Sequence, residues 1–235
     1  ISTIYSSDNN TIWIGTDPGI IFQGDPYMKS FYPIQYGLSN NDVQTFIHSF
    51  PSWLGGRNYP GDEGSLSLID PYNSNFDWFE GESIINVNRL DVYGNCEVNN
   101  EYWFGSVSSI IIYDSKRDYW RTLDLSRGVP YGEIRFLEAD SNFIWAASNY
   151  EIQKIDIKTK RSERTVLTKS LSNSFINSIS LKNNYLWIST EYKLLCYNIN
   201  SEVIVPFNYI GNINAIKDRI DVITKFYDIF FDGLK

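Results

Sequence analysis

One histidine, one methionine and two cysteines are all that this chain of 235 residues offers of those types. A histidine-rich metal centre or a histidine-based triad therefore has almost nothing to draw on. His48 falls in a strand-like stretch and reads as a packing residue. No serine or cysteine is tied to it by spacing. Cys96 and Cys196 lie outside any CxxC or metal-ligand spacing and read as two separate small buried residues. The longest apolar runs, such as residues 110–113, are far shorter than the ~20 residues needed to cross a bilayer, so no membrane insertion by this segment is expected. No signal peptide is visible and the first residue is Ile1. The chain therefore reads as a mature secreted protein or an excerpt of a longer one. Basic residues are the minority, 20 against 28 acidic, for a net charge of −8. Such a surface repels phosphate backbones, so nucleic acid is not an expected partner. No glycine-rich loop precedes a helix, which removes the usual support for nucleotide binding.

What the chain has in quantity is aromatic side chains, 16% of its residues. Five of its tryptophans recur in one setting. The segments are Ile12-Trp13-Ile14-Gly15-Thr16, Ser52-Trp53-Leu54-Gly55-Gly56, Tyr102-Trp103-Phe104-Gly105-Ser106, Ile144-Trp145-Ala146-Ala147-Ser148 and Leu186-Trp187-Ile188-Ser189-Thr190. Each is Trp, an apolar residue, then two small ones. The Trp-to-Trp intervals are 40, 50, 42 and 42 residues. A period near forty with about four strand-like pieces per unit is the pattern of β-propeller blades. The small residues read as room for the indole of the neighbouring blade.

A second landmark sets the register. Asp25, Asp70, Asp114, Asp156 and Asn198 follow their tryptophans by 12, 17, 11, 11 and 11 residues. Each opens a polar turn, where an Asp or Asn side chain closes onto the backbone. Four strands per unit follow: an inner strand before the Trp (residues 43–49, 134–139 and 176–181 in three units), the Trp strand, a third before the Asp or Asn, and an outer one after it. The units run 1–36, 37–82, 83–126, 127–169, 170–210 and 211–235, within a single propeller domain. The last is degenerate: Asp221 stands where the Trp would be, and only about three strands fit. An alternative reading makes residues 213–231 an amphipathic helix. An open edge strand invites aggregation, so the expectation is an all-β propeller of four-stranded antiparallel blades, part of a six- to eight-bladed ring that continues beyond this chain.

A further element precedes several inner strands, most clearly Tyr36-Gly37-Leu38-Ser39-Asn40-Asn41-Asp42-Val43, with a weaker copy at Ser170-Leu171-Ser172-Asn173. Joined to Ile12-Trp13-Ile14-Gly15-Thr16-Asp17-Pro18-Gly19-Ile20, it resembles the two-component regulator propeller repeat. The pattern departs from the repeat at Ser189, Ala146, Ala147 and Asp221. The resemblance implies a bacterial extracytoplasmic module, periplasmic or at the cell surface, of the kind found in the sensor halves of hybrid two-component systems. It implies recognition of a carbohydrate or polymer fragment, and a homodimer where the module belongs to a sensor. It also allows a scaffold that docks a protein partner in an envelope or secretion complex. No catalytic residue, cofactor or metal is expected, so the chain reads as a binding module and not an enzyme.

Propellers bind at one end of the blades, on the loops from second to third and from fourth to first strands. Those loops offer Asn40, Asn41 and Asp42; Arg57, Tyr59 and Asp62; Arg127 and Tyr131; Tyr150 and Glu151; and Tyr192 and Lys193. Asp62 and Glu63 lie in the insertion that lengthens the second unit, which is too poor in ligands for a calcium site. The mixture of rings, amides and charges suits a sugar or a protein surface. The basic stretch 158–164 reads as an exposed outer-edge turn.

Overall fold

The computed structural model describes residues 3–8, 11–15, 21–24, 27, 29, 31–34, 42–47, 51–57, 66–70, 75–85, 90–163, 165–171, 174–191 and 194–205. The degenerate sixth unit, His48, and the Asp25 landmark lie outside them. Five four-stranded antiparallel sheets account for nearly all of the regular structure, each a meander in chain order. Blade 1 holds β1 (Thr3–Asp8), β2 (Thr11–Gly15), β3 (Ile21–Gly24) and β4 (Phe31–Ile34). Blade 2 holds β5 (Asp42–Ile47), β6 (Ser52–Arg57), β7 (Leu66–Asp70) and β8 (Asn75–Phe79). Blade 3 holds β9 (Gly94–Val98), β10 (Glu101–Gly105), β11 (Ser109–Asp114) and β12 (Tyr119–Asp124). Blade 4 holds β13 (Phe136–Ala139), β14 (Phe143–Ala147), β15 (Ile152–Asp156) and β16 (Ser162–Glu163). Blade 5 holds β17 (Ile176–Lys182), β18 (Tyr185–Thr190), β19 (Leu194–Asn198) and β20 (Val203–Val205). The first strands lie side by side, β9 between β5 and β13, and β13 next to β17. That is the arrangement of propeller blades around an axis.

The Asp and Asn landmarks do what their chemistry suggests. Asp114 Oδ1 accepts from the backbone N–H of Lys116 (3.1 Å) and Arg117 (3.2 Å). Asp156 Oδ1 accepts from Lys158 (3.0 Å) and Thr159 (2.6 Å), and Asn198 Oδ1 from Asn200 (2.9 Å) and Ser201 (3.1 Å). In all three turns the fourth residue on is left-handed: Asp118 at φ 49°, Lys160 at 57° and Glu202 at 57°. The hairpins between first and second strands of blades 3 and 5 turn on Asn pairs, Asn99-Asn100 and Asn183-Asn184, again at positive φ, a conformation Asn tolerates better than most residues.

The core lies between blades, not within them. Strands of blades 3 and 4 are buried on both faces, so alternate residues serve opposite neighbours. Tyr102, Phe104 and Ile111 pack toward Trp53 and Leu66 of blade 2. Trp103, Ile110 and Ile112 face Ile134, Leu137, Ile144 and Ala146 at blade 4. Trp145, Ala147 and Ile152 face Ile176, Leu186, Ile188 and Tyr197 at blade 5. Trp53, Trp103 and Trp145 are fully buried, each wedged against the following blade.

The small residues after Trp have a different neighbour from the one expected. A Cβ on Gly55 would lie 2.6 Å from Val92 Cγ1, and one on Gly105 would strike the carbonyl oxygen of Ile134. The room is for the chain entering the next blade, not for an indole. That chain is stitched to the blade before it: Val92 N–H donates to Gly56 O (2.9 Å), Ile134 to Ser106 O (3.0 Å) and Ile176 to Asn149 O (2.6 Å). For the same reason the strand expected over 134–139 begins only at Phe136, because Ile134 pairs back to blade 3.

Replacing Gly105 by Ala would force a backbone carbonyl to move, at a cost of about 1–3 kcal/mol. Urea unfolding should show a lower midpoint for Gly105→Ala; an unchanged midpoint would rule out the close approach.

Candidate functional site at the loop end of the blades

In a meander the second-to-third and fourth-to-first connections leave from the same end of every blade. At blades 3 and 4 these connections are tied to one another. Ser108 N–H donates to Gly132 O (2.7 Å), and Gly132 N–H donates to Ser108 Oγ (2.9 Å). Tyr131 N–H donates to Glu151 Oε2 (3.0 Å), and Gln153 Nε2 holds the other Glu151 oxygen (2.5 Å). Ser148 Oγ accepts from Glu151 N–H (3.3 Å). Glu151 is thus spent on bracing the loops. What they present is Tyr131, 74% exposed, and Tyr150, 68% exposed. Tyr150 meets Phe175 edge-on at 5.4 Å between centroids, and Val107 is exposed beside them.

A charged group sits at the same end. Arg57 pairs with Asp42 across β5 and β6, with Nε and one terminal nitrogen each 2.7 Å from Oδ2. Gln44 also donates to Asp42. Both partners are partly exposed, so the pair adds less than about 1 kcal/mol to stability; it fixes where the guanidinium points. Tyr93, in the chain entering blade 3, is pushed up to about 12 by burial, then by the Asp91 and Glu133 carboxylates, with Glu133 as its hydrogen-bond partner and Arg57 pulling the other way. Its hydroxyl stays a neutral donor at any physiological pH.

Of the residues expected here, Asp42, Arg57, Tyr131, Tyr150 and Glu151 lie at this end. Arg127 is exposed at the end of a short 3-10 helix (Leu125–Arg127). The next residue, Gly128, has a positive φ of 79° and packs against Ser162. That places Arg127 beside the outer strand of blade 4. Asn40, Asn41, Tyr59, Asp62, Tyr192 and Lys193 lie outside the described residues. Asp91, Tyr93 and Glu133 were not singled out by sequence. The signal was available: Asp91 and Glu133 precede the equivalent residues Val92 and Ile134 that stitch blade to blade.

One further titratable group stands on an inner strand. Glu138 pairs in register with Trp145. Burial lifts its carboxyl to about 7, against a weaker opposing hydrogen bond from the Leu181 backbone. Cys96 holds the corresponding position opposite Trp103. Its thiol is pushed far up by burial and then by Glu138, which makes it a poor nucleophile. Cys196, in blade 5, is also a free thiol. Among the described residues no group of three or more His, Cys, Asp or Glu could hold a metal ion.

The fold is that of a β-propeller. No family model and no curated protein matches the chain. Among solved structures it is similar to an extracellular domain assigned to a one-component system, BT4673 of B. thetaiotaomicron, at a TM-score of 0.60 and 16% identity; the match covers 98% of this chain and 30% of that one. It is similar also to an extracellular domain assigned to a hybrid two-component system, BT3049 of the same organism, at 0.55 and 19% identity, covering 84% and 27%. The Neurospora crassa Pan2 WD40 domain matches at 0.51 and 13% identity, covering 87% and 64%. These likenesses establish the fold. The chain spans under a third of the length of the two bacterial structures.

Glu138 makes a pH test. The folded state keeps its proton up to about pH 7, while an unfolded chain releases it near 4.5. The native state binds more protons across that window, so this group's contribution to stability falls as pH rises through it. Glu138→Gln should gain on the parent protein between pH 5 and pH 8 by up to about 3 kcal/mol, read from melting at each pH. A constant difference would mean that the carboxyl is ordinarily solvated.

Proposed function

We propose that this chain is a non-enzymatic recognition propeller of an extracytoplasmic sensor, and that it binds a saccharide or related polymer fragment at the loop end. The observation that carries this reading is the pair Tyr131 and Tyr150, exposed on loops that are themselves fully braced by hydrogen bonds. Rigid rings present apolar faces at little cost in conformational entropy. At the same end, the Arg57–Asp42 pair and the Tyr93–Glu133 pair offer polar groups of the kind that orient a sugar's hydroxyls. The extracellular origin of the similar bacterial domains supports a placement outside the cytoplasm. In the described residues no helix is long and apolar enough to cross a membrane.

Exposed Val107 beside the two tyrosines favours a second reading, a protein partner docked on the same ridge, since aromatic and arginine side chains also anchor protein interfaces.

A glycan array followed by titration of the best binder tests the first reading. Tyr131→Ala, Tyr150→Ala and Arg57→Ala should each weaken binding about fivefold or more. A bound glycan indifferent to all three substitutions would move the site elsewhere. Absence of glycan binding, with a protein captured in a Tyr131-dependent manner, would favour the second reading.

A further inference from the structure

The opposite end of the blades carries the turns between first and second and between third and fourth strands. Two grooves open there at equivalent junctions, one of about 430 Å3 between blades 3 and 4, the other of about 460 Å3 between blades 4 and 5. Their chemistry differs sharply. The first is lined by five cationic side chains, Lys116, Arg117, Arg121, Lys158 and Lys160, and by two carboxylates, Glu101 and Asp114. That local excess of positive charge stands in a chain of net charge −8.

Both carboxylates are already committed. Glu101 accepts from Trp103 Nε1 (3.1 Å), from Arg121 and from Lys160. Asp114 caps its own turn and lies 3.7 Å from Arg117 Nε. Asp156, the acidic neighbour of Lys158, caps the next turn. Lys116 and Lys158 are exposed, at the same position of successive turns, two residues after the Asp. Lys160 is not the outer-edge residue its sequence suggested. Its left-handed backbone turns it inward, where it is buried with Nζ 4.3 Å from the Trp103 ring centre. Burial holds its ammonium below the usual lysine range even beside Glu101, with Arg121 adding to the effect.

The turn itself does not ask for lysine. In blade 5 the position of Lys116 and Lys158 is Asn200, in the same hydrogen-bonded geometry. The groove between blades 4 and 5 is lined by the amides Asn142, Asn183, Asn184 and Asn200, by Asp140, and by two lysines, Lys154 and Lys182. Its Lys154 is consumed by Glu163 (3.3 Å) and Glu202 (2.9 Å). Of these two grooves, only the one between blades 3 and 4 concentrates five cationic side chains.

We propose that the groove between blades 3 and 4 is a second binding site, separate from the loop end, for a ligand bearing oxyanion groups such as sulfate or phosphate esters. Lys116 and Lys158 make the outer contacts, and Arg121 and Lys160 form the positive floor. A cationic groove in an otherwise acidic protein also steers anions to that one place.

The test uses the whole chain at low salt, about 50 mM, with short dextran sulfate, short polyphosphate and unmodified dextran as probes. Binding of a polyanion, weakened by added salt and about tenfold or more by the double substitution Lys116→Gln, Lys158→Gln, is the expected result. Preference for dextran sulfate or for polyphosphate identifies the source of the oxyanion. Unchanged polyanion binding by Tyr131→Ala separates this site from the loop end. Failure to bind either polyanion, equal binding of unmodified dextran, equal binding by the double variant, or loss on Tyr131→Ala would each overturn the proposal. Both lysines are exposed, and matched melting temperatures confirm that the variant is folded.

Discussion

One backbone hydrogen bond per junction governs how these blades meet. Val92 donates to Gly56, Ile134 to Ser106 and Ile176 to Asn149. A bond of this kind requires the entering chain to lie directly on the end of the preceding tryptophan strand. An added Cβ at Gly55 or Gly105 would crowd that chain; in blade 4 Ala147 stands at this position and the acceptor lies one residue further on, at Asn149. Once it forms, the tryptophan three or four residues before the acceptor is covered by the next blade, and the loops at that end are brought within reach of each other. The Gly132–Ser108 and Tyr131–Glu151 bonds follow from the same approach.

The junctions share this backbone rule and differ in how they treat the indole nitrogen. Trp103 gives its N–H to Glu101 and Trp145 gives its own to Asp140 (3.1 Å each). Trp53 Nε1 is buried and has no partner among the described residues. An unpaired donor costs about 1–3 kcal/mol. Around it stand Phe79, Tyr102, Phe104, Tyr113 and Trp120, all with centroids within 5.9 Å. Aromatic pairs contribute about 0.5–1.5 kcal/mol each beyond their burial, enough to offset the lost bond. Around its indole nitrogen the junction between blades 2 and 3 is lined by rings; at the next, above the apolar core, the Glu101–Lys160 pair lies over the Trp103 ring.

What could be read from sequence was what depends on near neighbours. Trp103 and Asp114 belong to adjacent strands of one hairpin, so their spacing of 11 residues reports a local geometry. The blades and their strand order follow from that. Contacts between units were harder to see. Ile134 reads as the start of a strand, yet its hydrogen bond goes back 28 residues to Ser106. Lys160 reads as surface charge, because its left-handed φ is set by the turn and not by its own preference. Glu138 looks like any strand carboxylate until Cys96 and Leu181 close over it from two other blades. The position of Tyr131 and Tyr150 at the loop end follows from strand order alone, whereas that of Tyr93 and Glu133 depends on the pairing between blades.

The third-to-fourth strand turns have a consequence for how such a protein changes over generations. Their geometry needs an Asp or Asn at the first position and tolerance of positive φ at the fifth. The side chain at the third position is idle in the turn, which uses only its backbone N–H: Lys116, Lys158 and Asn200 all occur there. Each groove between blades is lined in part by those idle positions. Its charge can therefore be rewritten by one or two codon changes without disturbing a core residue, and one junction can drift toward a new ligand while its neighbour is left as it was.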